Sequence, residues 1–218
     1  MTAILFLRFQ HHLQSWGMRA FWDIRDTAPY PTKKGVIGLL GCALGIPRYD
    51  SRLVQLQAAL RMGIRQERLF SQCIDFQTAR GQFFQADREQ KPDVENIVLR
   101  KHYLEDATFL VALQGTLPLL QQLRDALLDP RWPLFLGRKC CVPSMPIYDD
   151  LRTDCESILE AFAQIPPTDA TARQYICHIE VPTSAARGKL RYDKMTSSPL
   201  KYAQQNRYQR KILEVPSS

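Results

Sequence analysis

The sequence predicts an α+β fold, and three observations lead to that class. Apolar runs of strand length are interspersed with longer segments of helical periodicity. Up to about residue 148 the predicted order is strand, helix, strands, and then strand, helix, strand. That order is typical of the split βαβ arrangement of ferredoxin-like and RRM-like domains. The 218 residues, 45% hydrophobic and 23% charged, are enough for one sizeable core or two small domains sharing one, and they argue against disorder.

The first elements follow from apolar spacing and capping residues. We predict a strand over residues 3–9, an ordered loop over 11–23, and a second helix over 51–62. Thr32 is a good N-cap, so a first helix is predicted over residues 33–44. Four glycines share one face of that helix: Gly35, Gly38, Gly41 and Gly45. We expect the later ones to permit close packing on a sheet, and Gly35 to let a ligand approach the helix N-terminus.

The remaining elements complete the core and add two appendages. Strands are predicted over 63–69, 72–77, 97–101, 107–114 and 134–142, and a helix over 117–128. The polar residues 78–96 suit an exposed hairpin arm or flexible loop inserted into the domain formed by residues 1–148, with 97–101 as its returning strand. Residues 149–218 are predicted to form a smaller C-terminal β subdomain, with a helix over 154–163 and strands over 175–181 and 208–215. The pair Asp149-Asp150 is interpreted as a turn or helix start.

Charge points towards an anionic partner and is concentrated at the C-terminus. The chain has 29 Lys and Arg against 22 Asp and Glu, a net charge of +7. This balance favours nucleic acid, an anionic surface or acidic partners. Residues 187–218 hold eight basic and two acidic residues, together with three tyrosines. Interleaved cations and rings are typical of a single-stranded nucleic-acid groove, and the alternative is a solvated basic strand and loop.

Several classes of site are absent from the sequence. It contains no GxGxxG, P-loop, GxSxG or HExxH pattern. Its six cysteines form no CxxC pair, so we interpret them as buried apolar residues of a reduced, cytoplasmic protein without metal or cofactor. The N-terminal apolar run is interrupted by Arg8 and is too short for a signal peptide, and no stretch is long enough for a membrane span.

Two short basic segments are candidate phosphate sites. Thr32-Lys33-Lys34-Gly35 opens a helix, where backbone N–H groups and the helix dipole favour an anion. Arg25 and Arg48 flank this segment in the sequence. Gly137-Arg138-Lys139 is a second basic site, for which exposed strand-end charges are the alternative.

One trio of residues could perform acid–base chemistry. Lys101-His102-Tyr103 could supply the base, acid and cation of metal-independent RNA cleavage. The alternative is a strand end with one buried aromatic residue and two exposed polar groups.

An ordered series of motifs makes the first 148 residues recognisable. The series is Leu13-Gln14-Ser15-Trp16-Gly17, Arg25-Asp26-Thr27, Pro31 to Leu40, Ala43-Leu44-Gly45, Tyr103 to Ala107, and Leu136-Gly137-Arg138-Lys139. It resembles the CasD family, the "Cas five" subunit of the type I-E CRISPR Cascade complex. Beyond residue 150 the match is weaker, because Arg191-Tyr192-Asp193 lacks the proline that the family usually carries.

The resemblance implies an RRM-like, non-catalytic subunit that caps the 5′ handle of crRNA. Such a subunit contacts the backbone and large subunits, with target DNA as a possible indirect partner, and residues 78–100 correspond to its thumb hairpin. The implied RNA-binding residues are Gln14, Trp16, Arg25, Thr32, Lys33, Lys34, Gly35, Arg48, Arg80, Arg88, Arg100, Lys101, Arg138 and Lys139. Gln14 and Trp16 would contact handle bases or shape the pocket, and the others would contact phosphates. In type I-C complexes the related subunit is the pre-crRNA endoribonuclease. The resemblance therefore leaves open the alternative that Lys101, His102 and Tyr103 are catalytic residues of such an enzyme. A purely structural assembly subunit is a third possibility.

Overall fold

The structure, a computed structural model, describes residues 2–18, 23–82, 94–168, 176–181, 189–195 and 206–216. In these ranges the helices are α1 (Lys33–Leu44), α2 (Ser51–Ala59), α3 (Leu117–Leu128) and α4 (Ile158–Gln164). The strands are β1 (Thr2–Gln10), β2 (Leu13–Gln14), β3 (Ile24–Arg25), β4 (Arg61–Gln66), β5 (Ser71–Gln82), β6 (Val94–Glu105), β7 (Thr108–Thr116), β8 (Tyr148–Arg152), β9 (Ile176–Val181), β10 (Lys189–Met195) and β11 (Asn206–Pro216). The predicted mixture of antiparallel sheets and helices is confirmed.

A seven-stranded sheet in the order β10-β11-β9-β4-β7-β1-β8 forms the centre of the fold. β1 pairs antiparallel with both β7 and β8, and β4 pairs antiparallel with β7. The strands that flank α1, which are β1 and β4, are therefore separated by β7. The strands that flank α3, which are β7 and β8, are separated by β1. In each case a helix links two strands of the sheet that have a third strand between them.

Strand β1, in this sheet, is buried on both faces. Leu5 and Leu7 of β1 pack into the core that includes residues of α1 and α3, whereas Ile4 and Phe6 pack against α4 on the other face. Successive strand residues point to opposite faces, so a strand covered on both sides is apolar along its whole length. This double coverage explains why residues 3–7 form an uninterrupted apolar run with no exposed side chain.

The strand predicted over residues 134–142 is wrong, and the last strand of the core is β8. Gly137 has φ +91°, and the chain turns there so that Leu136 N–H donates to the carbonyl of Cys141 at 2.7 Å. Leu136 and Cys141 are buried as parts of this compact loop, which accounts for the apolar composition. The predicted turn at Asp149-Asp150 lies inside β8, where Asp149 pairs with Arg8 at 3.0 Å.

The glycines of α1 have structural roles that differ from those predicted. A Cβ at Gly41 would lie 2.6 Å from the side chain of Leu53 on α2, so this glycine permits helix–helix packing rather than packing on a sheet. Gly45 is the C-cap with φ +67°, a left-handed conformation that glycine adopts without steric cost. A Cβ at Gly38 would meet open space. Helix α2 ends at Ala59, before its predicted end, because Met62 already lies buried in β4.

The C-terminal strands extend the central sheet. β9 pairs with β4, β11 pairs with β9, and β10 forms the edge beyond β11. The strands predicted over 175–181 and 208–215 correspond to β9 and β11. At the opposite edge of the same sheet lies β8, so strands from residues 148–216 flank the strands of residues 2–116 on both sides.

A long antiparallel hairpin leaves the core between β4 and β7. β5 and β6 pair from Ser71↔Glu105 to Gln82↔Val94, so the hairpin begins earlier than the predicted arm of residues 78–100. β2 and β3 pair with β6 at its base, on the side away from β5. Residues 83–93, between the two strands, lie outside the described residues. Among the described helices, none is long and apolar enough to cross a membrane.

Candidate nucleic-acid interface

The base of the hairpin brings together basic residues from three separate segments. β3 runs parallel to β6 and places Arg25 directly beside Lys101. Arg138, from the loop after α3, donates from Nη2 to the backbone carbonyl of Arg25 at 2.8 Å. Lys139 is exposed next to it. Residues far apart in the sequence therefore form one cationic cluster, which we call the hairpin-base cluster: Arg25, Lys101, Arg138 and Lys139.

Arg138 is held in place by an aromatic ring. Its guanidinium carbon lies 4.4 Å from the centroid of the Tyr103 ring, within the range of a cation–π contact. Tyr103 is buried, and its hydroxyl lies 3.6 Å from Cys140 Sγ. Burial raises the pKa of the Tyr103 phenol, and the nearby Arg138 guanidinium opposes that rise. Arg138 thus orients the Arg25 backbone from a fixed position.

One carboxylate lies beside the hairpin-base cluster. Asp75 is opposite Lys101 in the hairpin register. Gln77 Nε2 donates to Asp75 at 2.6 Å, and the Lys101 ammonium donates to Gln77 Oε1. Lys101 is therefore oriented by Gln77 while it remains only half-buried.

The two lysines at the start of α1 differ in burial. Thr32 Oγ1 accepts from Gly35 N–H at 3.2 Å, which confirms Thr32 as the N-cap. Lys34 is exposed, whereas Lys33 is only 4% exposed and its Nζ donates to Glu180 at 2.8 Å and to the Leu60 carbonyl at 2.6 Å. Lys33 was predicted to contact a phosphate, but the structure places its ammonium in an internal ion pair.

Gln14 and Trp16 are buried, so a direct contact of these side chains with RNA bases does not fit the structure. The Gln14 amide donates to the Ala107 carbonyl at 2.7 Å and accepts from Trp16 Nε1 at 3.1 Å. Trp16 stacks on Phe9, with 5.2 Å between ring centroids. A Cβ at Gly35 would lie 2.9 Å from the Trp16 ring, so the indole occupies the space that was predicted for a ligand. The arrangement fits the other predicted role, in which both residues shape the site.

The loop with Gly137 connects the start of α1 to the hairpin. A Cβ at Gly137 would lie 1.7 Å from the carbonyl oxygen of Ser15, so only glycine allows this close approach. Ser15 N–H donates to the Leu136 carbonyl at 3.2 Å, and Ser15 Oγ donates to the His102 carbonyl at 3.1 Å. Hydrogen bonds of Ser15 thus join the Trp16 segment, the loop and the hairpin base.

The three residues of the predicted catalytic trio do not converge. Successive residues of a strand point to opposite faces, so His102 lies on one face of β6 and its neighbours lie on the other. His102 shares its face with Ile74, its partner in the register. Tyr103 is buried under Arg138. In this arrangement the side chain of His102 lies on the opposite face of β6 from those of Lys101 and Tyr103.

The remaining predicted residues are dispersed. Arg80 and Arg100 are exposed on the hairpin face opposite to Lys101, and the Arg100 guanidinium carbon lies 5.6 Å from the Phe76 ring centroid. Arg48 was expected to flank the start of α1, but it follows the end of that helix, which at 1.5 Å per residue is roughly 18 Å away. Arg88 lies outside the described residues.

The sequence did not indicate that Lys33 pairs with Glu180 or that the Tyr103 ring contacts Arg138. Glu180 accepts from Lys33 and also from Met62 N–H at 3.1 Å, although it lies 147 residues from Lys33 in the chain. No local pattern indicates such a pairing. Within the described residues, no group of three or more His, Cys, Asp or Glu side chains could hold a metal ion.

Comparison with known proteins gives this site its family context. The sequence matches the family described as CRISPR-associated protein (Cas_Cas5) over residues 4–212. The chain belongs to the Cas5 family. The resemblance drawn from its motifs is thereby confirmed.

Individual Cas5 relatives agree with this assignment. The chain is 32% identical over 160 residues to the protein named CRISPR system Cascade subunit CasD of Escherichia coli (strain K12), covering 68% of this chain and 70% of the relative. A chain of the solved structure titled "CRISPR RNA-guided surveillance complex" is similar with TM-score 0.77 and 25% identity, covering 98% of this chain and 90% of that one. A second structure, "Crystal structure of Cas protein", gives TM-score 0.69 and 34% identity over 98% and 94% of the two chains.

Proposed function

We propose that this Cas5 protein is a non-catalytic subunit of a Cascade-type CRISPR surveillance complex and binds the 5′ handle of crRNA. Two similarities support the first part: the relative in E. coli is named a Cascade subunit, and a similar solved chain belongs to an RNA-guided surveillance complex. As part of the same proposal, this chain joins the backbone and large subunits of its own complex at the handle end of the guide.

The observation that carries the RNA-binding proposal is the hairpin-base cluster. It gathers basic residues from β3, β6 and the loop after α3 onto one region of the surface. Arginine guanidinium groups bind phosphate through paired N–H donors, and lysine supplies a compact charge. A strand that passes this region would meet Arg25, Lys101 and Lys139 in succession.

Each residue has a separate part in this proposal. Arg25 and Lys101 contact phosphates, because they are adjacent across β3 and β6 and are not fully buried. Arg138 positions Arg25 through its carbonyl, and Tyr103 positions Arg138. Lys34, exposed at the start of α1, adds a cation where the helix dipole also favours an anion. Trp16 and Gln14 hold the first turn of α1 against the loop.

The test is the salt dependence of handle binding. Fluorescence anisotropy would measure the Kd of a labelled handle RNA between 50 and 300 mM salt for the wild type and for Arg25→Ala/Lys101→Ala. Each phosphate contact on a single strand contributes about 0.7 to the slope of log K against log salt, so the double variant should lose about 1.4 from the slope.

A matched control removes two cations elsewhere. Arg52 and Arg124 lie on α2 and α3, and each forms an ion pair with an acidic neighbour on its own helix or cap. Arg52→Ala/Arg124→Ala should leave affinity and slope unchanged. If the hairpin-base variant behaves like this control, the cluster does not bind the handle.

A further inference from the structure

Two neighbouring cysteines place a pair of thiols beside the hairpin-base cluster. Cys140 and Cys141 belong to the loop after α3, and their Sγ atoms are 3.9 Å apart. The sequence predicted that all six cysteines are buried, but Cys140 is exposed, whereas Cys141 is fully buried. The loop therefore holds one thiol that solvent reaches and a second thiol next to it.

The surroundings of Cys140 favour a reaction of its thiol. Arg138 and Lys139 immediately precede it in the chain and supply two positive charges. The Tyr103 hydroxyl lies 3.6 Å from Cys140 Sγ, which is within hydrogen-bonding distance for sulfur. Cysteines that respond to oxidants are typically exposed, surrounded by positive charge and close to a second thiol that reacts with the first oxidation product. Cys140 has all three features.

Cys141 suits the part of the second thiol. Burial raises the pKa of the Cys141 thiol to about 12, so this thiol is protonated at neutral pH. Because the thiolate is the reactive form, an oxidant in solution reacts first with Cys140. The oxidised sulfur of Cys140 then lies close enough for Cys141 to attack it.

The backbone of Cys141 maintains the turn that presents Arg138. Cys141 N–H donates to the Arg138 carbonyl at 2.9 Å, and Leu136 N–H donates to the Cys141 carbonyl at 2.7 Å. A disulfide needs its two sulfur atoms about 2 Å apart, so closing one here must move them together from 3.9 Å. Because the cysteines are adjacent, this movement strains the peptide between them. Both hydrogen bonds of Cys141 are then weakened, and the turn loosens.

We propose that Cys140 and Cys141 form an oxidation site, at which a peroxide closes a disulfide that detaches Arg138 from Arg25 and so weakens binding of the handle. In the reduced protein Arg138 donates to the Arg25 carbonyl at 2.8 Å. The effect on RNA rests on the proposed handle function, whereas the disulfide and the movement of Arg138 do not. A cytosolic disulfide of this kind is transient and serves redox sensing.

The reaction has two steps. The Cys140 thiolate attacks one oxygen of hydrogen peroxide, the O–O bond breaks, and the leaving hydroxide takes up the proton that the thiol gave to solvent. The sulfur of Cys141 then attacks the resulting sulfenic acid, the S–O bond breaks, and hydroxide leaves with the proton of Cys141 as a second water. Two thiols and one peroxide thus give one disulfide and two waters. A thiol reductant reverses the change.

Peptide mass spectrometry tests the disulfide. Trypsin cleaves after Lys139 and Arg152, so the peptide of residues 140–152 contains both cysteines and no other. After treatment with peroxide and alkylation by iodoacetamide, this peptide should be unalkylated and two hydrogen atoms lighter than its reduced form. Dithiothreitol should restore alkylation. In Cys141→Ser the sulfenic acid on Cys140 should persist and react with dimedone.

The movement of Arg138 has a readout without RNA. Arg138 is half-buried in the reduced protein, so brief trypsin treatment of the folded protein should cleave after this residue faster once the disulfide has formed. Cys140→Ser should not respond to peroxide. Cys42→Ser is the matched control, because it removes a half-buried thiol from α1, and it should respond like the wild type.

Handle binding is measured on the same samples by fluorescence anisotropy. Oxidation should weaken the affinity and reduce the slope of log K against log salt by about 0.7, which corresponds to the phosphate contact of Arg25. Dithiothreitol should restore both. The oxidised affinity of Cys140→Ser should equal its reduced affinity.

Four results would overturn the proposal. Full alkylation of both cysteines after peroxide would show that they do not react. A covalent dimer on a non-reducing gel, joined through Cys140, would show that the exposed thiol pairs between molecules. A disulfide with unchanged cleavage after Arg138 would show that the turn does not respond. Unchanged handle binding after oxidation, while Arg25→Ala/Lys101→Ala still weakens it, would show that Arg138 does not position Arg25.

A failure of the handle proposal gives a different result. Neither oxidation nor Arg25→Ala/Lys101→Ala would then change RNA binding. The disulfide and the faster cleavage after Arg138 would still be observed, and they would support the oxidation site by themselves.

Discussion

Replacing Lys33 tests whether its charge supports the fold or contacts RNA. Lys33→Met keeps the aliphatic stem and removes the ammonium that donates to Glu180 and to the Leu60 carbonyl. The variant leaves the Glu180 carboxylate, whose side chain is only 15% exposed, without its cation. The structure therefore predicts lower stability, whereas a phosphate contact predicts weaker RNA binding with unchanged stability.

The magnitude follows from the geometry of the pair. Removing one partner of a buried ion pair costs about 3–5 kcal/mol. Glu180 retains the Met62 N–H donor at 3.1 Å and some solvent contact, so we expect the lower end, about 3 kcal/mol. For a chain of this size, 1 kcal/mol shifts the thermal midpoint by about 2–4 °C, which gives a decrease of about 6–12 °C.

The assay combines unfolding with handle binding. Thermal and urea unfolding should show the loss in Lys33→Met and its partial recovery in Lys33→Met/Glu180→Gln, because the second change removes the uncompensated carboxylate but keeps an acceptor for Met62 N–H. The salt slope of handle binding, measured well below the midpoint, should equal that of the wild type. A wild-type midpoint together with a slope reduced by about 0.7 would refute the reasoning, since it would place the ammonium on a phosphate.

Three further outcomes are expected from other parts of the molecule. Burial raises the pKa of Glu67, but hydrogen bonds from Thr168 and Arg65 outweigh this effect, so the folded pKa lies below the usual 4.5. The stability that the lowered pKa contributes is present above pH 4.5 and is lost as pH falls through the folded pKa. Urea unfolding should therefore show that Glu67→Gln is less stable than the wild type at pH 7. The stability of this variant should also depend less on pH in the acid range. Gly137→Ala should lose about 1–3 kcal/mol from its positive φ alone, and more from contact with the Ser15 carbonyl; wild-type stability in urea would contradict the observed turn. Purified protein incubated with repeat RNA in EDTA should show no specific cleavage, and cleavage that disappears in His102→Ala would restore the endoribonuclease alternative.

Local sequence patterns predicted the elements whose bounds depend on residues close together in the chain. The bounds of α1 and α3 match the predicted 33–44 and 117–128, because caps and apolar periodicity define helix ends and faces. The segment 134–142 shows the limit of this reasoning. Its apolar residues predicted a strand, but they are buried by a loop that turns at Gly137. Burial alone does not specify extended structure.

Long-range partners account for most of what the sequence could not reveal. β8 is short and carries two aspartates, and only its pairing with β1 makes it a strand. Lys33 was correctly placed at a helix start, yet its charge is used by Glu180, which is distant in the chain. Arg25, Lys101 and Arg138 were each identified as candidates, but only the pairing of β3 with β6 shows that they are neighbours.

The 5′ ends of RNA that copurifies with the chain test the central proposal most directly. The chain would be coexpressed with its complex and a repeat array, and the bound RNA would be sequenced from its 5′ end, for the wild type and for Arg25→Ala/Lys101→Ala. We predict one uniform 5′ end on the wild type and a marked loss of that RNA from the variant, with Arg52→Ala/Arg124→Ala unchanged. RNA with heterogeneous 5′ ends, or equal recovery from the wild type and the hairpin-base variant, would contradict handle binding at this site.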